Sequence, residues 1–237
     1  MLYELVANDH HNNGTALYKC YDGDNLSYKK VAIEEKANGI LENEKTGYDW
    51  FFEISGYKGP QVSLSKGRFY ELDMPAFEGK GFPEWSRLSG NEEYVNMVTD
   101  SYCRYWNRSE EFRIHGDLAL CNAIILKNGD IMVVDWEHSH VSDRSNFGVD
   151  IINLLMTAMS YELFNGRFLL KRLKGIIVKT IDKLRAGAPR PNRVLDRPFM
   201  GAYDYMRQRF KGCNKFPILK CDSNRLKELD IMVFKKR

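Results

Sequence analysis

Two rhythms of apolar and polar positions divide the chain. In its first part the apolar residues come in short runs broken by polar turns. Residues 2–6 and 15–21 read as strands, the second rich in aromatics as half-buried strands are, with the polar stretch Asn8–Gly14 joining them. Asp22–Asn25 reads as a turn. Ser27 suits a helix N-cap, and the pattern behind it predicts a helix of about four turns ending near Lys45, with Gly47 as its stop signal. Short strands are expected around Trp50–Ile54, Gln61–Leu64 and Arg68–Leu72. Near Asp73–Gly79 the rhythm changes, because Pro75, Gly79, Gly81 and Pro83 interrupt regular structure. Helical spacing then takes over. Asn91–Arg108 sets Tyr94, Val95, Val98, Tyr102, Tyr105 and Trp106 on one side, residues 147–185 are largely helical in pattern, and a further helix is expected around 195–211. The fold class expected is α+β: a small lobe of strands plus one helix over 1–73, a hinge at 74–79, and a larger, mainly helical lobe over 80–237.

Within the second lobe, Asn128-Gly129 between two apolar runs predicts a hairpin with a two-residue type I′ turn. That turn sets Lys127 opposite Asp130, Ile125 opposite Met132, Ala123 opposite Val134 and Asn122 opposite Asp135. Opposed residues have Cβ atoms about 4.5–5.5 Å apart, and magnesium sits about 2.0–2.1 Å from a ligand oxygen. On this register one hard cation bridges Asn122 and Asp135. Asp117 precedes Asn122 in the loop leading into the first strand, where a carboxylate accepts a proton from a hydroxyl held beside the cation. Gly116 lets that loop turn tightly, and His115 pins it by side-chain hydrogen bonding.

Composition removes rival classes. The formal net charge is only +3. Basic residues thicken at Arg185–Arg193 and Lys235–Arg237 without interleaved aromatics, so they read as solvated faces, and no nucleic-acid partner is expected. The five cysteines (20, 103, 121, 213, 221) are an odd set without C-x-x-C spacing, which points away from a disulfide framework or a zinc site. No apolar run reaches the ~18 residues of a membrane span, so no membrane insertion is expected. Met1–Val6 lacks the basic flank of a secretory signal, so the expected location is cytoplasmic. Oligomeric state has no signature here.

His115-Gly116-Asp117, then Asn122, an apolar hairpin, and Val133-Val134-Asp135-Trp136-Glu137 together resemble the aminoglycoside phosphotransferase and choline kinase group of kinase-like proteins. The relation to protein kinases lies in their H-R-D-x4-N loop and D-F-G segment. The resemblance implies a bilobal protein-kinase-like fold whose small lobe is an antiparallel sheet plus one helix. It implies Asp117 as catalytic base, Asn122 and Asp135 as metal ligands, and Asp150 as the later aspartate that braces the catalytic loop, although Asp150 suits a plain helix N-cap as well. In the first lobe, Lys19 matches the lysine that contacts nucleotide phosphates and Glu35 its ion-pair partner, with Lys29, Lys30 and Glu34 as alternatives. The segment Leu72–Gly79, including Met74, matches the hinge that meets adenine. Only eighteen residues precede Lys19 and Gly14 is the sole glycine among them. On that assignment Asn8–Gly14 is an abbreviated phosphate-covering loop, or the cover is missing.

The function so implied is transfer of the γ-phosphoryl of ATP, with Mg, to the hydroxyl of a small-molecule alcohol acceptor. Members of this group act on aminoglycosides, choline, ethanolamine, sugars and homoserine. The basic tail (Arg167, Lys171, Arg172, Lys174, Arg190, Arg193, Arg197) favours a neutral or anionic acceptor such as a sugar or glycan precursor. The alternatives are a nucleotide-binding pseudokinase scaffold and a protein kinase, the latter disfavoured because no Ala-Pro-Glu segment follows Asp135-Trp136-Glu137.

Overall fold

The computed structural model describes residues 2–9, 14–81, 92–164, 170–211 and 216–234. The chain divides into two compact units, Met1–Glu78 with Val134–His140, and Gly79–Val133 with Val141–Arg237.

The first unit is built on an antiparallel sheet. Its strands are β1 (Leu2–Asp9), β2 (Thr15–Asp22), β3 (Asn25–Ala32), β4 (Ser63–Ser65) and β5 (Glu71–Pro75), in the order β1-β2-β3-β5-β4. Asp22 pairs with Asn25 across a tight turn in which Gly23 takes a φ of 60°, the positive φ that two-residue hairpin loops require. The helix expected from Ser27 is therefore a strand. Its alternation is masked because an inward position is occupied by a charged residue, Lys30. The helix comes later: α1 spans Asn38–Ser55 and takes in Trp50–Ile54, expected as a strand. Leu41, Glu44, Tyr48 and Phe51 are buried at successive steps of three or four, one stripe of a helix facing its core. Gly47 lies inside this helix and does not end it. A Cβ there would come 2.5 Å from the Cβ of Trp136, so the missing side chain is what admits the indole. Trp50 and Phe51 pack on the same indole, with ring centroids 5.8 and 5.6 Å away. The helix stops at Gly56, whose left-handed φ of 71° suits a glycine C-cap.

The second unit is mainly helical: α2 (Glu92–Tyr105), α3 (Val149–Phe164), α4 (Leu170–Gly187), the short α5 (Arg193–Asp196), α6 (Pro198–Arg209), the short α7 (Pro217–Lys220) and α8 (Ser223–Phe234). Val95, Val98 and Tyr102 of α2, Ile152 and Leu155 of α3 and Ile177, Ile181 and Leu184 of α4 are buried in its core. Three strands form a small sheet in the order β6 (Gly79–Gly81), β8 (Ala123–Leu126), β9 (Ile131–Val133), and β7 (Arg113–Ile114) precedes the loop that carries Asp117. The basic stretch Lys235–Arg237 lies outside the described residues, as do Pro83 and Arg167.

The hairpin register differs from the one expected. Ala123 pairs with Val133 and Ile125 with Ile131. Leu126 donates to the Asp130 carbonyl at 2.8 Å, and Gly129 donates to that of Leu126 at 3.0 Å. The loop is thus Lys127-Asn128-Gly129, with Gly129 at a φ of 82°. This is the three-residue hairpin whose last loop residue is left-handed, in place of a two-residue type I′ turn. The one-residue shift moves every partner, so strand pairing does not set Asn122 against Asp135. Pairing ends at Val133, and Asp135 has left the strand.

Candidate functional site

Among the described residues, each unit carries a polar cluster of candidate site residues. In the second, the cluster is the loop His115–Asn122. Asp150, in the first turn of α3, has no exposed surface, and its two oxygens accept the backbone N–H groups of His115 and Gly116, each at 3.0 Å. Burial pushes the Asp150 carboxyl up to about 7, against the lowering effect of those two amides. The Asp117 N–H donates to His115 Nδ1 at 3.2 Å. A ring nitrogen that accepts carries no proton, which fixes the neutral tautomer with its hydrogen on Nε2. His115 has no exposed surface, and its ring ties the Asp117 amide to its own part of the loop. On the far side of Asp117, the Asn122 amide donates to the Asp117 carbonyl at 2.9 Å, and the buried Asn153 amide of α3 donates to the Leu118 carbonyl at 3.3 Å. The peptide groups on both sides of the half-buried Asp117 are thereby fixed. Because the Asn122 nitrogen is committed to Asp117, its Oδ1, which the Cys121 thiol approaches at 3.4 Å, is the atom left to accept from a donor or to ligate a cation.

In the first unit a single ammonium is surrounded by carboxylates. Lys30 Nζ lies 2.9 Å from Glu44 Oε2, 3.0 Å from Asp135 Oδ1 and 3.0 Å from Glu137 Oε2. Lys30 comes from β3, Glu44 from the buried stripe of α1, and the two others from the 134–140 segment. Burial acts to lower the Lys30 pKa, but its three carboxylates outweigh this and hold it well above the ordinary lysine value. Burial raises Glu44 to about 7 even though Lys30 pulls it down. Asp135 adopts a left-handed backbone (φ 65°), the one non-glycine residue to do so among those described. Its N–H is held by the Tyr48 hydroxyl at 3.3 Å, and Asn43 donates to the Glu137 and Ser139 carbonyls at 3.0 and 2.8 Å. A left-handed aspartate persists where its surroundings over-determine it, and such positions concentrate at functional sites.

One oxygen each from Glu44, Asp135 and Glu137 lies within 4.8 Å of the others. Three carboxylates against one lysine leave a surplus of negative charge on hard oxygen donors, the donor set that suits magnesium or calcium and not a thiolate-seeking metal. The Lys30 ammonium already sits among these three oxygens and His138 Nε2 lies 3.1 Å from the other oxygen of Glu137, so within this set it is the second oxygen of the half-buried Asp135 that fits a magnesium ion.

The expected Lys19–Glu35 pair is not what the fold assembles. Lys19 is half-buried in β2, in register with Glu4 on one side and Tyr28 on the other, and Glu35 is exposed and pairs with Arg68 at 3.0 Å. Of the lysines left open by the sequence, Lys29 turns to Glu71 and Asp73, at 2.6 and 3.1 Å, and Lys30 takes the buried position. Two strands, β1 and β2, precede the strand that carries Lys30. The connection between those strands includes residues 10–13, which lie outside the described residues. Met74, in β5, is buried, and its sulfur accepts from the Tyr48 hydroxyl at 3.7 Å. Glu44 and Glu137 were not singled out in the sequence. The available signal for Glu44 was an acid in the middle of the stripe Leu41, Tyr48, Phe51, which is visible only once α1 is read as a helix.

No family model matches the chain, and no curated protein matches it in sequence. Among solved structures it is similar to WaaP in complex with acyl carrier protein, at 11% identity and a TM-score of 0.51 over 88% of each chain. It is also similar to a protein assigned as an aminoglycoside phosphotransferase from Ralstonia eutropha JMP134, at 12% identity and a TM-score of 0.49 over 99% of this chain and 91% of that one. At such identities the likeness speaks for the fold alone. The fold is the α+β, kinase-like one expected from the sequence, with an antiparallel sheet and one long helix in the first unit and mainly helices in the second.

Proposed function

We propose that the protein is an ATP-dependent phosphotransferase that moves the γ-phosphoryl group to a hydroxyl of a small molecule. The observation that carries this reading is the buried Lys30 held by Glu44, Asp135 and Glu137. A strand lysine paired with a helix glutamate, beside an aspartate that can hold magnesium, is the arrangement with which protein kinases grip a nucleoside triphosphate. In this reading Lys30 contacts the phosphates and Glu44 orients Lys30. Asn122, through Oδ1, and Asp135 would hold magnesium. Magnesium, when bound, supplies neutralisation of the phosphate charge. Asp117 accepts the proton of the acceptor hydroxyl as that oxygen bonds to the γ-phosphorus, while the bond from phosphorus to the bridging oxygen breaks and ADP carries off the electron pair. Asp150 and His115 keep Asp117 in position, which is the main work a protein performs in this reaction class.

The acceptor is a sugar or glycan precursor, an amino alcohol or an aminoglycoside, and the arginines at 190, 193 and 197 favour the first. The test is magnesium-dependent protection by ATP against thermal unfolding, followed by ATP consumption with a panel of alcohols. Protection and acceptor-dependent consumption are expected. Protection without consumption on any acceptor would replace this reading with a nucleotide-binding scaffold, and no protection would remove both.

A further inference from the structure

The loop that carries Asn122 is fastened from a direction unconnected with Asp150. Tyr94, in the first turn of α2, donates its hydroxyl to the Leu120 carbonyl at 2.9 Å and also reaches the Ala123 carbonyl. These two carbonyls bracket Cys121–Ala123, a stretch that begins within a single 3₁₀ turn, Leu120–Asn122. The turn is also tied by the Asn122 side-chain amide, which donates to the Asp117 carbonyl at 2.9 Å. Asn122 N–H donates to the Ala119 carbonyl at 3.0 Å, and no side chain caps its N-terminus. Short 3₁₀ turns have poor hydrogen-bond geometry of their own and depend on outside contacts. The helix behind Tyr94 is a fixed base, since Val95 and Val98 have no exposed surface. Burial also pushes the Tyr94 hydroxyl well above its ordinary pKa, so it stays a donor at every working pH.

We propose that Tyr94 is a positioning residue for the metal: by donating to the Leu120 carbonyl and lying against that of Ala123, its hydroxyl steadies the backbone around Asn122 and so, together with the Asn122–Asp117 bond, where the Asn122 Oδ1 points. The inference rests on the reading of Asn122 as a magnesium ligand. A ligand oxygen must sit within a few tenths of an ångström of its place for a cation as geometrically demanding as magnesium. A turn released from this hydroxyl spreads over a wider range, so the metal is lost first and ATP contacts made by other residues are spared.

The probe is Mn²⁺, followed by water-proton relaxation in the ATP-loaded protein, a readout independent of turnover. Tyr94→Phe keeps the ring and removes only the hydroxyl. It is expected to weaken Mn²⁺ binding about tenfold, the scale of one lost hydrogen bond. ATP affinity measured without metal stays as in the parent, and turnover recovers at high metal concentration. The hydroxyl-deletion control Tyr203→Phe, on α6, is expected to leave Mn²⁺ affinity unchanged. A variant with 3-fluorotyrosine at position 94, a stronger donor of nearly the same shape, is expected to bind Mn²⁺ at least as tightly as the parent. Unchanged Mn²⁺ affinity in Tyr94→Phe, whatever happens to its unfolding midpoint, would make the hydroxyl merely structural and overturn the proposal. So would weaker binding in the fluorotyrosine protein. A parent that binds ATP but takes up no Mn²⁺ would remove the metal site itself.

Discussion

Replacing Lys30 by methionine tests the charge arrangement in the first unit without reference to any activity. Methionine keeps the length and the apolar stem but removes the one ammonium shared by Glu44, Asp135 and Glu137. Glu44 and Glu137 have side chains only 2% and 5% exposed, so water cannot replace the lost partner. Removing one member of a buried ion pair costs about 3–5 kcal/mol, because the other is left charged and uncompensated. Protonation recovers part of this. The Glu44 carboxyl already stands at about 7 in the folded protein against an ordinary 4.5, chiefly through burial. A folded pKa above the unfolded one contributes stability that is complete below about 4.5 and is lost as pH rises through about 7. Without Lys30 the folded pKa climbs further, and the loss deepens and extends to higher pH. Urea unfolding followed by tryptophan fluorescence should show Lys30→Met destabilised by about 3–5 kcal/mol near pH 8 and by much less near pH 5. Adding Glu44→Gln removes the stranded charge and should restore about 1–3 kcal/mol near pH 8. Equal destabilisation at both pH values, or strictly additive single and double variants, would refute the reasoning.

Two further outcomes follow from geometry. Gly47→Ala places a methyl 2.5 Å from the Trp136 Cβ and is expected to cost about 1–3 kcal/mol by overpacking; an unaltered thermal midpoint would mean that the indole has room to move. Asp150→Asn removes one of the two acceptor oxygens that hold His115 and Gly116, at a cost of about 1–3 kcal/mol, and hydrogen exchange at those two amides should accelerate; unchanged protection would contradict the brace. Asp150 itself, raised from 3.8 to about 7 mainly by burial, contributes stability that is complete below about pH 3.8 and declines as pH rises through 7. The asparagine variant should lack that part of the slope.

What could be read from the sequence was what is local. His115, Asp117 and Asn122 lie within one turn-rich loop, so their association needs no knowledge of tertiary structure, and the α2 stripe from Tyr94 to Trp106 follows from helical period alone. The first unit resisted because its informative residues break their own patterns. Lys30 sits at an inward position of β3 and erases the alternation that marks a strand, so Ser27 and the following charges read as a helix start. In α1 the run Trp50-Phe51-Phe52 looks like a strand by composition, and Gly47 looks like a stop, although it is where Trp136 enters from a segment far away in sequence. Glu44 followed Gly47 out of view for the same reason. At the hairpin, Asn128-Gly129 gave the right turn residues, but the left-handed conformation belongs to Gly129 alone. That lengthened the loop by one residue and shifted the register.

The most direct test of the central claim sets Asp117→Asn beside Lys30→Met in one experiment, measuring both magnesium-dependent protection by ATP and phosphoryl transfer to an alcohol acceptor on which the parent is active. Asp117→Asn should keep the protection and lose transfer, since only proton acceptance is removed, while Lys30→Met, at a pH where it remains folded, should lose both. Full transfer by Asp117→Asn, or undiminished protection in Lys30→Met, would contradict the account.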